Sequence, residues 1–127
     1  WLALLHSNGV DFTTAFRRLG DASDGSLEGR VAVTSLFEAP IGDWLDRWTA
    51  RLAPDAATTM RAVNPVYVPR NHLVEEALAA ANEGDLAPFR ELLDVVTRPF
   101  EERPGHVRFA SPAPDGFNDG YMTFCGT

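Results

Sequence analysis

A chain of 127 residues, 45% hydrophobic and 23% charged, has the size and make-up of one globular domain. Its net charge is -7 and all eleven basic residues are arginines, an acidic balance that repels phosphate backbones and, with Arg17-Arg18 as the one adjacent basic pair, excludes nucleic acid as a partner. A single cysteine excludes an internal disulfide framework and a structural zinc site, no apolar run is long enough for a membrane span, and a reducing, cytoplasmic setting is expected.

The opening Trp1-Leu2-Ala3-Leu4-Leu5 lacks the charged leader and small-residue cleavage site of a signal peptide, and reads as a buried helix turn cut by a fragment boundary. Asp11 then caps a short helix in which Phe12, Ala15, Phe16 and Leu19 share one face, and Gly20 is expected to close it. Residues 21–29 read as a polar loop, and 31–37 as a weak helix or irregular segment. Pro40 and Asp43 introduce a helix whose stripe is Trp44, Leu45, Trp48 and Leu52, ended by Pro54. Asp55 is expected to cap a brief helix through Val63. Asn64-Pro65 stops it, because proline disfavours α geometry in the residue before it.

Asn71 is expected to cap a helix over residues 73–81, and Asp85 one over 86–97 with Pro88 in its first turn and Leu86, Phe89, Leu92, Leu93 and Val96 as its buried face. Beyond Arg98-Pro99 the many prolines and glycines forbid long regular structure. Phe100, Phe109, Phe117, Tyr121 and Phe124 nevertheless supply more aromatic surface than a disordered tail carries. The expected architecture is mainly α, with a bundle-like layer of short helices over residues 1–97 and an irregular Pro/Gly-rich arm over 98–127.

Few residues invite chemistry. His72, Glu75 and Glu76 fall on neighbouring helical turns, which suits a partial metal site or an oriented base. A metal needs a further convergent ligand, so the acidic pair reads first as a complement to the helix dipole. Arg70, between Pro69 and Asn71, reads as a clamp whose planar fork ties backbone carbonyls or a carboxylate together; the rival reading is a phosphate grip at the helix start. Asn64 and Pro65 read as helix-stopping geometry. Asp115-Gly116 and Asn118-Asp119-Gly120 lack the spacing of a calcium loop and read as turns. Cys125 leaves three readings open: an inert thiol, a nucleophile served by His106 or His6, or a redox thiol on an arm. No P-loop, GxSxG, HExxH or dinucleotide fingerprint occurs.

The connector from Asn64-Pro65 to Arg70-Asn71, with Asp11-Phe12-Thr13, Val74-Glu75-Glu76-Ala77, Arg98-Pro99-Phe100 and the near-terminal Cys125, resembles the C-terminal region of the selenoprotein O (SelO) family. That family consists of kinase-like proteins that hold ATP inverted and move AMP onto serine, threonine or tyrosine hydroxyls of target proteins. The resemblance implies that this chain, which begins at Trp1 without an initiator methionine, is the tail of a larger kinase-like (α+β) enzyme. It implies that ATP and magnesium are held by an upstream core, with no catalytic, cofactor or metal residue in this segment. The partners implied are that core and the protein substrates of the complete enzyme. A near-terminal cysteine or selenocysteine is implicated in redox control in the family, and Cys125, followed by Gly126-Thr127, occupies that place. The alternative is an autonomous acidic helical protein-interaction module.

Overall fold

The structure, a computed structural model, describes residues 1–122. Among them the chain is mainly α and contains no strand. The helices are α1 (Leu2–Asn8), α2 (Phe12–Ala22), α3 (Leu27–Thr34), α4 (Gly42–Thr49), α5 (Ala56–Val63), α6 (Asn71–Asn82), α7 (Ala87–Val96) and α8 (Val107–Ala110). The last lies within the C-terminal arm, so the Pro/Gly-rich stretch is not irregular throughout.

The first five helices surround two joined apolar clusters. One gathers Leu5, Ala15, Phe37 and Ile41, the other Leu19, Ala22, Val33 and Leu45. Trp1 packs against both, stacking on Trp44 with ring centroids 4.7 Å apart. Helix α2 opens where Asp11 accepts a hydrogen bond from the Thr14 amide at 2.9 Å. It does not stop at Gly20. That glycine is buried inside the helix beside α5, where a Cβ would make ordinary contact with Met60 Cβ at 3.4 Å.

The segment expected as loop through Gly29 turns helical at Leu27, with Ser26 Oγ accepting from the Gly29 amide at 3.1 Å. Gly29 is where α3 crosses α2 most closely. A Cβ at that position would sit 2.4 Å from the Asp21 carbonyl oxygen and 2.9 Å from Ala22 Cα. The cap and the close crossing both favour helix, which the polar composition of residues 21–29 conceals.

A third cluster, Val66, Tyr67, Leu73, Ala77, Leu92, Val95 and Phe109, is built from the connector, α6, α7 and α8. Helices α6 and α7 form a hairpin whose turn passes through Gly84 at φ +90°, a conformation L side chains rarely adopt. Asp85 accepts from the Ala87 amide at 2.9 Å, and α7 begins at Ala87 with Leu86 in the flanking position. The arm is tied to this core early: the Val66 and Tyr67 amides both donate to the Pro99 carbonyl, at 2.7 and 3.2 Å. The fold is thus two half-cores with the connector 64–70 between them.

Candidate functional site

The connector begins where α5 ends. Asn64 takes an extended conformation ahead of Pro65, and its amide still bonds to the Met60 carbonyl at 2.9 Å. Its own carbonyl, with that of Arg61, accepts from the Arg17 guanidinium at 3.3 and 3.4 Å, so an arginine on α2 satisfies the open end of α5. Tyr67 follows, 2% exposed, and its hydroxyl accepts from the Arg103 amide at 2.9 Å.

At the other end of the connector stands Arg70. Its side chain is 9% exposed and reaches across to Asp11 in a two-pronged pair, Nη1 to Oδ2 at 3.0 Å and Nη2 to Oδ1 at 2.9 Å. Nη2 also donates to the Ala110 carbonyl at 2.9 Å. One guanidinium therefore ties the start of α2, the start of α6 and the end of α8, in the planar geometry that arginine alone among the cationic side chains provides. Burial raises the affinity of the Asp11 carboxyl for its proton, but hydrogen bonds from Arg70 and Thr14 outweigh it and bring the pKa down to about 2.

Asn71 is not the cap of α6. Arg70 holds the flanking position, extended at φ -72° and ψ 134°, its carbonyl accepting from the Leu73 and Val74 amides; Asn71 is the first helical residue and is exposed.

His72, Glu75 and Glu76 do not converge. Glu76 receives the Arg108 guanidinium at 2.7 Å, Glu75 the Tyr121 hydroxyl at 2.9 Å, and His72 meets the Phe117 ring edge-on at 5.8 Å. Each residue therefore holds a different part of the arm on α6. Burial and the neighbouring Arg70 charge lower the pKa of His72, with Glu76 pulling the other way. Residues 115–120 form turns, Phe117 and Asp119 donating backbone hydrogen bonds to Pro114 and Gly116. Cys125, the redox candidate, lies outside the described residues.

Between the start of α6 and these turns is a cleft of about 580 Å³, bordered by Asp11, Arg70, His72, Asp115 and Asp119. Its residues do not fit ATP with magnesium. Both terminal nitrogens of Arg70 are taken by Asp11 and Ala110, and Asp11 is spent on Arg70 and Thr14. Among the described residues no three histidine, cysteine or acidic side chains gather to hold a cation. No described helix is long and apolar enough to cross a membrane.

Comparison with known proteins supplies the relationship. Protein nucleotidyltransferase YdiU of Cereibacter sphaeroides is 55% identical over 99% of this chain, and its counterpart from a Mycobacterium species is 56% identical over the same share. The YdiU of Chromobacterium violaceum is 47% identical over the whole chain. From end to end the chain resembles one stretch of the proteins named protein nucleotidyltransferase YdiU, as a fragment of the SelO/YdiU family would. It spans about a quarter of the length of these relatives, 26%, 25% and 28% respectively. No protein-family model matches it. The signal that sequence reading misses is Asp11: its capping role is legible, but its second task, 59 residues away at Arg70, is not.

Proposed function

We propose that this chain is the non-catalytic C-terminal portion of a SelO-like protein adenylyltransferase, which transfers AMP from ATP to serine, threonine or tyrosine of target proteins. The observation that carries this reading is end-to-end similarity at 47–56% identity to proteins named protein nucleotidyltransferase, confined to about a quarter of their length. The use of charge around the connector supports it. Arg17, Arg70 and Arg103 are engaged with backbone carbonyls and carboxylates of this same chain, which braces helices and leaves nucleotide handling to an upstream kinase-like core.

In this reading ATP and magnesium belong to that core, the enzyme works in the cytoplasm, and Cys125 is a redox-regulatory thiol. The chain buttresses the core with its helices and covers part of it with the arm.

The test uses ATP labelled at the α-phosphate, magnesium and a protein acceptor. The full-length protein is expected to place label on protein hydroxyls, while the isolated 127 residues are expected to place none. Label transfer by the isolated chain, or none by the full-length protein, overturns the proposal.

A further inference from the structure

The outer face of the α6–α7 hairpin carries an apolar groove of about 190 Å³, bordered by Pro69, Val74, Leu78, Phe89, Leu93 and Val96. The inner residues of the two helices, Leu73, Ala77, Leu92 and Val95, fill the third core cluster. The outer ones are only half covered: Leu78, Phe89 and Leu93 are 49%, 44% and 48% exposed, so of the face expected to be buried on α7 Leu92 is buried while Phe89 and Leu93 are not. Three large apolar side chains around one apolar groove mark a surface built to be covered rather than scattered exposed residues.

The total area argues likewise. The chain exposes 8429 Å², whereas a compact monomer of its mass exposes about 6,700 Å². The excess, on the order of 1,000–2,000 Å², is more than the roughly 800 Å² that each partner contributes to a standard protein–protein interface. The relatives that match this chain from end to end are about four times as long, so the polypeptide that would supply the cover accompanies it in each of them.

We propose that the α6–α7 groove is the seat of the upstream part of the same polypeptide, which lays an apolar ridge between Leu78 and Phe89–Leu93. This rests on the reading of the chain as one portion of a longer SelO-like enzyme and specifies which of its faces meets the rest. Such a contact would make the hairpin, with the arm held on α6 by Glu75 and Glu76, the element that joins arm to core.

Cysteine accessibility in the full-length protein tests it. Leu78→Cys and Leu93→Cys are introduced singly, with Glu83→Cys in the exposed hairpin turn as reference, and maleimide labelling is read peptide by peptide by mass spectrometry. Positions 78 and 93 are expected to label roughly tenfold or more slowly than position 83, equally at nanomolar and micromolar protein, and at the same rate in denaturant. Labelling as fast as at position 83 overturns the proposal. So does protection that appears only at micromolar protein, which identifies a second copy as the cover. AMP transfer is measured on the same samples. Protection without transfer overturns the enzymatic reading alone, and fast labelling with transfer intact overturns the groove alone.

Discussion

Arg70 and Asp11 lie 59 positions apart in the chain and meet fork to carboxylate, with Nη1–Oδ2 and Nη2–Oδ1 distances of 3.0 and 2.9 Å. Because Asp11 also caps α2 and Arg70 also holds the Ala110 carbonyl, this one pair fastens the N-terminal half-core to the C-terminal one. Removing Asp11 leaves the Arg70 guanidinium buried without its counter-charge, and removing Arg70 leaves a half-buried Asp11 carboxylate without its cation. Arg70→Ala is expected to cost about 2–4 kcal/mol in chemical denaturation, and Arg70→Glu more, since two carboxylates then face each other. An unchanged melting temperature in Arg70→Glu would remove the pair from the account of the fold.

The same pair makes stability depend on acid. The Asp11 carboxyl has a pKa of about 2 in the folded chain against an ordinary 3.8, so the folded state binds its proton less readily than the unfolded one. Its contribution, on the order of 2 kcal/mol, is complete above about pH 4 and is lost as pH falls towards 2. His72 adds a slope at milder pH. With its pKa held below 6.5, the folded state resists protonation, and stability declines as pH drops below 6.5 through the lowered value. Denaturation midpoints measured from pH 7 to 2 are expected to fall in both regions. Asp11→Asn flattens the lower one and His72→Gln the upper.

What could be read in the sequence was what repeats or punctuates. The stripe at Trp44, Leu45 and Trp48 and the stop at Asn64-Pro65 stand in the structure, because periodicity and proline geometry act locally, but α4 closes at Thr49, before Leu52 and Pro54. Gly20 and Asn71 were misjudged for one shared reason. Each is given the role its residue type prefers in isolation, whereas α2 runs on through Gly20 to Ala22 and Arg70, not Asn71, holds the position flanking α6. Which carboxylate meets Arg70, and that Glu75, Glu76 and His72 turn to three separate places on the arm, depends on side chains 32 to 59 residues apart. No spacing rule reaches that far.

Gly29 marks the tightest crossing of α2 and α3, and the atoms that a Cβ would strike are main-chain atoms of Asp21 and Ala22. A flexible side chain could swing aside; a helix backbone cannot. Gly29→Ala would gain helix propensity, about 1 kcal/mol in an open site, yet the forced separation of two packed helices is expected to reverse the sign and leave the chain less stable by roughly 1–3 kcal/mol. Urea denaturation of Gly29→Ala beside Gly25→Ala, which meets no neighbour but strains a φ of +78°, separates steric overlap from backbone strain.

Tyr67 tests whether the arm and the connector fold as one unit. Its ring is 2% exposed in the cluster with Leu73 and Phe109, and its hydroxyl is the acceptor for the Arg103 amide, whose side chain in turn reaches Asp94 of α7 at 2.7 Å. Tyr67→Phe keeps the apolar ring and leaves that amide without its acceptor, at a cost of about 1–3 kcal/mol. If the arm is cooperative with the core, the whole cost appears in global unfolding, and amides across residues 99–110 lose hydrogen-exchange protection together with those of α6 and α7. If the arm opens by itself, residues 99–110 exchange faster while α6 and α7 are unmoved. The cooperative outcome is expected, because Phe109 and Tyr67 share one buried cluster and the Pro99 carbonyl serves both Val66 and Tyr67, so the arm cannot lift without opening the connector beneath it.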